Sequence, residues 1–196
     1  MEIELGLVQK HLDWLKQKLY LDTVAKSMTN RKVMRGQVYV CDLGVGIGSE
    51  QTKKRPCLII HNNNFSKSPN TTIVPITHTY KPLSCIIKIA NRTDKDGNIL
   101  LDGYVNVSAI RSVSKARLGE YVCSLTKDEM KKIDEELSAQ LDLKHYYDKV
   151  NNILNDKLVY ISKLSAIMEE IKKQTGAENN NEILEKLQIL LDDLKK

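Results

Sequence analysis

Residues 35–43 read R-G-Q-V-Y-V-C-D-L, residues 46–60 read G-I-G-S-E-Q-T-K-K-R-P-C-L-I-I, and residues 71–77 read T-T-I-V-P-I-T. Each carries a short run of β-branched and other apolar side chains bounded by polar or glycine-bearing breaks, the pattern of strands joined by loops. The loop between the first two runs ends in a cationic cluster, Lys53, Lys54 and Arg55, and the third run closes on the hydroxyl of Thr77. Strands that frame such a loop make an anion site on a small β scaffold.

Working outward, strands are expected near 36–42, 56–62, 72–77, 84–90, 104–110 and 119–123. The breaks between them include 44–54, 62–70 and the D-K-D-G-N turn at 94–98. Many short strands punctuated by turn signals argue for a compact, barrel-like sheet. Upstream, Leu5, Val8, Leu12, Leu15 and Leu19 advance by three and four, one stripe of an amphipathic helix that fades near Ser27–Asn30, with Trp14 beside it. Downstream, Thr126 and Glu129 form a capping box that opens a helix with Met130, Ile133, Leu137 and Leu141 on one side. Tyr147, Val150, Leu154, Leu158, Ile161, Leu164, Met168 and Ile171 continue a heptad-like stripe. Residues 174–181 interrupt it with Gly176 and three asparagines, and Ile183, Leu184, Leu187, Leu190, Leu191 and Leu194 mark a final helix.

With 196 residues, 41% hydrophobic and 28% charged, the chain has the composition of a soluble globular protein. It holds nothing near the roughly 18 consecutive apolar residues of a membrane span, and it opens without a basic segment leading into an apolar core, so a cytoplasmic location is expected. Cys41, Cys57, Cys85 and Cys123 lie far apart with no histidine at ligand spacing. They read as small buried hydrophobes on strands, and neither a metal nor another cofactor is expected. The glycines at 44, 46 and 48 lead into another strand rather than a helix, which excludes a dinucleotide loop. Of 30 Lys and Arg and 25 Asp and Glu, residues 126–196 hold 12 and 15, leaving a surplus of 8 positive charges before residue 126. A positive lobe suits a polyanion, because neutralising phosphates releases condensed counterions.

The order R-G-x-V-Y-x-x-D-L at 35–43, G-S-E-Q at 48–51, R-P-x-L-I-I at 55–60, P-I-T at 75–77, I-R-S-V-S-K-A-R-L at 110–118 and the helical L-T-K-D-E-M-K-K-I-D-E-E-L at 125–137 closely resembles the MazF/PemK family of toxins. The resemblance covers roughly residues 33–143. It implies an α+β fold built on a small SH3-like β barrel of the CcdB/PemK type, here with an added N-terminal helix (1–32) and a C-terminal helical extension (144–196). It also implies a metal-independent endoribonuclease that cuts single-stranded mRNA, works as a homodimer and is neutralised by a cognate antitoxin.

Metal-free RNA cleavage proceeds by attack of a 2′-hydroxyl on the adjacent phosphate, through a phosphorane with extra negative charge. Such a site needs donors aimed at phosphoryl oxygens and groups that move protons. Arg55 fits the first need, since a guanidinium stays protonated and its fork matches two phosphate oxygens. Thr77 adds a neutral hydroxyl donor. By composition alone either is an ordinary strand-end residue; the resemblance, whose catalytic arginine sits in this R-P dipeptide and whose catalytic hydroxyl ends this strand, makes them the catalytic pair. Ser49, Glu50, Gln51, Lys53 and Lys54 on the loop, with Lys81 beyond the third strand, are the expected RNA-binding residues. Glu50 is also the nearest carboxylate that could take the 2′ proton. His61 and His78 read as structural.

The chain departs from the family where Ser108-Ala109 replaces a Glu-Gln pair and Cys85 replaces a histidine, so the cleavage sequence does not carry over. The helical extensions must cover their apolar stripes, by packing together within the chain or across a dimer, or by an acidic-leaning tail lying over the RNA groove. The competing reading is a catalytically silent RNA- or protein-binding module of the same fold.

Overall fold

In the computed structural model, residues 4–195 are described, and the chain divides into two compact units, residues 1–141 and 142–196. The first unit opens with helix α1 (Leu5–Met28) and continues through strands β1 (Gln37–Asp42), β2 (Lys54–Ile59), β3 (Asn70–Thr77), β4 (Ile86–Lys88), β5 (Arg92–Thr93), β6 (Ile99–Leu101), β7 (Tyr104–Asn106), β8 (Arg111–Ser114) and β9 (Leu118–Ser124) to helix α2 (Lys127–Gln140). Seven strands form an antiparallel sheet in the order β4-β7-β3-β2-β1-β9, with β8 also paired to β3, and β5 and β6 make a separate hairpin. The α+β class is as expected. The sheet does not close into a barrel, and its path ends at β4 and β9.

Strand β3 organises the sheet by changing neighbours along its length. It pairs with β2 through Ile73, Val74 and Pro75, while its other edge meets β8 over Asn70–Ile73 and β7 at Ile76 and Thr77. Pro75 stands at the seam between β8 and β7, where no ladder bond to a second neighbour is asked of its missing N–H.

Alternation then sorts side chains to two faces. On one, Val38, Leu58, Val74, Ile76 and Val105 form the main core with Ile133 and Leu137 of α2. On the other, Tyr39, Cys41, Cys57, Ile59, Ile73 and Val113 form a second cluster with Val33 and Leu118. Thr126 and Glu129 make the expected capping box, and Glu129 also accepts from the Ala90 amide at 3.0 Å and pairs with Arg92 at 2.5 Å. Burial alone would raise the Glu129 carboxyl, but the Thr126 and Ala90 amides, the Thr126 hydroxyl and Arg92 together hold it below the ordinary carboxylate range. Leu141, expected on the packed side of α2, is 56% exposed because the helix has already ended.

Helix α1 packs through a different face from the expected stripe. Trp14, Gln17, Leu21, Val24 and Ala25 are the half-buried positions, whereas Leu12 and Leu19 are 55% and 59% exposed. The anchor is the Trp14 indole, which lies against Gly44. A Cβ there would fall 2.3 Å from the ring, and φ is +75°. The Arg117 guanidinium sits 5.0 Å from the indole centroid and donates to the Asp42 carbonyl at 3.1 Å.

Other expectations are refined by the chain's bends. The run expected as one strand over 104–110 breaks at a 3-10 turn, Val107–Ala109, so β8 is a separate strand, and the hairpin of β5 and β6 was not foreseen. Cys41 and Cys57 are buried on strands, while Cys85 is half-buried in the turn before β4.

The second unit is α3 (Lys144–Thr175) and α4 (Asn180–Leu194). The heptad-like stripe lies on one continuous helix that stops at Gly176 with φ +63°. Asn179 caps α4 by accepting from the Asn181 and Glu182 amides, and Ala177 and Ile183 are buried at this corner. Among the described residues, no helix is long and apolar enough to cross a membrane.

Three polar residues, Lys115, His61 and Thr71, are buried. Lys115 is fully buried and donates to the Ser66 carbonyl at 2.5 Å, and desolvation lowers its pKa. His61 is 8% exposed; its Nδ1 lies 2.5 Å from the Thr71 hydroxyl, and its Nε2 has no hydrogen-bond partner among the described residues. Burial, then the Lys115 charge, pushes the His61 pKa below its ordinary value. The unfolded chain therefore binds this proton more readily than the folded one, so stability is complete above the unfolded pKa of about 6.5 and falls as pH drops toward the lowered folded value. Urea midpoints measured from pH 7.5 to 5 should decline across this window, and His61→Gln, which keeps a partner for Thr71 without titrating, should flatten the decline.

Candidate active site

The loop between β1 and β2 is closed at its neck by two backbone bonds, Leu43 N–H to the Lys53 carbonyl at 3.1 Å and Lys53 N–H to the Gly44 carbonyl at 2.9 Å. Lys53 adopts φ +66° to make this closure. Beyond the neck, Arg55 enters β2 half-buried, its Nε donating to the Thr52 carbonyl at 2.9 Å and one Nη to the Gln51 side-chain oxygen. These bonds fix the guanidinium plane. The other Nη has no partner among the described residues and remains a free donor.

The pairing Cys57↔Pro75 continues the register of β2 and β3. The paired ladder ends there, two residues short of both Arg55 and Thr77, which share the parity of Cys57 and Pro75 and so lie toward the same face of the sheet. The Thr77 hydroxyl accepts from the Thr79 amide at 3.2 Å, so its own hydrogen is available to donate outward. Gly103 makes the close approach possible: at φ +110°, a Cβ there would lie 2.5 Å from the Thr77 carbonyl oxygen.

Arg55 and Thr77 line one open cleft of about 480 Å³ together with Gln51, Lys54 and Lys81. Of the expected RNA-binding residues, Ser49, Glu50 and Lys53 do not line it. Glu50 turns back to accept from the Ile47 amide at 3.2 Å, and Ser49 and Lys53 are exposed on the loop.

Sequence reasoning set aside one group that the cleft brings in, His78. Its Nδ1 lies 3.0 Å from an Asp102 carboxylate oxygen, which orients the ring. Asn106, also on the cleft wall, accepts from the Ser108 hydroxyl at 2.7 Å. The sequence signals were adjacency to Thr77 for His78 and the D-G turn at 102–103 for its partner. His61, by contrast, lies in the buried pair with Thr71, as a structural histidine should.

Residues 34–141 match the family described as PemK-like, MazF-like toxin of type II toxin-antitoxin system. The chain belongs to the PemK/MazF toxin family. The matched span runs from the residue before Arg35 to the end of α2 and contains both Arg55 and Thr77. Among solved structures, the chain is similar to an endoribonuclease from Mycobacterial species, with 28% identity, TM-score 0.46 and coverage of 57% of this chain and 93% of that one. It is also similar to an endoribonuclease in complex with its cognate antitoxin from Mycobacterial species, at 31% identity, TM-score 0.48 and coverage of 57% and 96%. The MazF of Deinococcus radiodurans, at 17% identity and TM-score 0.50 over 57% of this chain and 97% of that one, shares the fold.

In this PemK/MazF chain, the placement of Thr77 depends on the bare backbone of Gly103. Gly103→Ala should lower unfolding free energy by about 2 kcal/mol, from a disfavoured φ and a clash with the Thr77 carbonyl. Urea denaturation measures the loss, and a crystal structure of the variant should show the 77–79 turn displaced.

Proposed function

We propose that the protein is a metal-independent endoribonuclease toxin that cuts single-stranded mRNA. The observation that carries this reading is the convergence of the Arg55 guanidinium and the Thr77 hydroxyl on one cationic cleft within a toxin-family fold.

The substrate phosphate sits between them. The 2′-oxygen attacks phosphorus, the bond from phosphorus to O5′ breaks, and the products carry a 2′,3′-cyclic phosphate and a 5′-hydroxyl. The free Nη of Arg55 and the Thr77 hydroxyl donate to the non-bridging oxygens, where charge builds in the transition state. Gln51 keeps the guanidinium aimed, and Lys54 and Lys81 hold flanking phosphates.

Among the cleft-lining residues, His78 supplies the one imidazole, a side chain that can both accept and return a proton. With Nδ1 committed to Asp102, its Nε2 takes the 2′ proton, and the departing 5′-oxygen is protonated by water. This replaces Glu50, whose carboxylate is engaged with the Ile47 amide. In the cell, a cognate antitoxin restrains the activity, as membership of a type II toxin family implies, and the working unit is a homodimer.

The test is incubation of the full chain with single-stranded RNA in chelator, followed by mapping of the product ends. Cyclic phosphate ends are expected, and RNA that is bound but left intact would make the protein a silent binding module. Arg55→Ala should reduce kcat by about 10²–10³-fold and Thr77→Val by about 10-fold. His78→Ala should lower the rate by about 10²-fold.

A further inference from the structure

The registers of β4, β7 and β3 set Lys88 opposite Tyr104 and Tyr104 opposite Thr77. Because directly paired residues share a face, Lys88, Tyr104 and Thr77 form a row across three strands, and Arg55 lines the adjoining cleft with Thr77. The intervening pairs, Ile87 with Val105 and Val105 with Ile76, project to the other face and feed the main core. The row is therefore the outward face of the sheet beside the cleft, built on strands rather than on loops.

Two features make the Tyr104 end of this row unusual. The Lys88 ammonium stands 4.7 Å from the Tyr104 ring centroid, and the Tyr80 ring lies 5.3 Å from it at an interplanar angle of 45°. Tyr80 is 62% exposed, so a large aromatic surface faces solvent at the mouth of the cleft. Its position is determined by local structure. The amide of Thr79 bonds the Thr77 hydroxyl, turning the chain directly after β3, and the His78–Asp102 pair ties that turn to the segment before β7. An aromatic pair of one exposed and one half-buried ring, with lysine on one side and an arginine in the adjoining cleft, matches the recognition of unpaired nucleic acid, where bases stack on rings and cations track the backbone.

We propose that Tyr80 and Tyr104 form a stacking platform for the nucleobase next to the scissile phosphate, with Lys88 binding the phosphate that follows. This rests on the endoribonuclease reading for the position of the scissile phosphate. The platform accepts any base, since every base presents a π-face, and it orients the strand so that one phosphate falls between Arg55 and Thr77. The cations around it, Lys54, Arg55 and Lys81 in the cleft and Lys88 on Tyr104, favour a polyanionic strand.

The experiment uses the full chain and a short single-stranded oligonucleotide library, 2′-O-methylated throughout so that it cannot be cut, with 2-aminopurine placed at successive positions. Binding to the wild type should quench 2-aminopurine at one position by stacking. Tyr80→Ala should weaken binding about 10- to 100-fold and remove the quenching, while Tyr80→Phe should preserve both. Lys88→Gln should weaken binding and reduce the salt slope by about one phosphate. Because Tyr80 is mostly exposed, its removal leaves the core intact, and a circular dichroism spectrum confirms the fold. Wild-type binding that Tyr80→Ala and Tyr104→Ala leave unchanged overturns the platform alone. Tyrosine-dependent quenching in a protein that never cuts unmodified RNA supports the platform and overturns the nuclease reading. Absence of binding by the wild type overturns both.

Discussion

Everything at the site descends from the way β3 shares its edges. A strand that kept one neighbour on each side would carry Thr77 into a continuous ladder, flanked and covered. Here β8 leaves at Ile73 and β7 joins at Ile76, with Pro75 in the seam, so the strand reaches its end beside a short, late-arriving partner. The Gly103 backbone then presses against the Thr77 carbonyl, an approach that no other residue allows at φ +110°. The hydroxyl is thus displayed at a strand end that is held from both sides yet open above.

The same alternation that builds the core also builds the site. Leu58, Val74, Ile76 and Val105 are buried against α2, which fixes the twist and register of β2, β3 and β7. Their odd-and-even partners, Arg55, Thr77 and Tyr104, inherit positions on the opposite face without having to be packed there. A slip by one residue would exchange the two faces and carry the arginine toward the main core, so hydrophobic burial enforces the register of the cleft. This is why a cationic cleft can persist although its charges repel: the cost is carried by core contacts on the far side of the sheet. The guanidinium needs local help only for orientation, supplied by Gln51 and the Thr52 carbonyl.

The parts legible in the sequence were those written in local pattern. The capping box at Thr126, the strands around Val38, Leu58 and Val74, and the interruption at Gly176 all follow from residues within a few positions of one another. The order of motifs identified the family and with it Arg55 and Thr77, which then fell in one cleft. What stayed hidden depends on pairing between distant segments. The His78–Asp102 contact and the approach of Tyr80 to Tyr104 each join residues some 24 apart in sequence, brought together only when β7 docks on β3. Glu50 is a carboxylate in the right loop, but a turn of three residues returns it to its own backbone and it does not line the cleft. Closure of the sheet was inferred from strand number, and strand number does not say whether the two outer edges meet.

Helix α1 shows how a periodic pattern can mark the wrong face. The leucine stripe is regular, yet the helix binds through Trp14, because the indole finds a flat seat where Gly44 has no side chain and where Arg117 can stack on it. That seat is not an arbitrary patch of sheet. Gly44 supplies the carbonyl to which Lys53 donates at the neck of the β1–β2 loop, and two residues beyond Lys53 the chain delivers Arg55 to the cleft. Helix α1 lies outside the span that defines the family, but it packs on the hinge of the one loop that aims the guanidinium. The N-terminal segment therefore belongs to the scaffold of the site, since freeing the neck would release Gln51 and Thr52, the two residues that hold Arg55 in place.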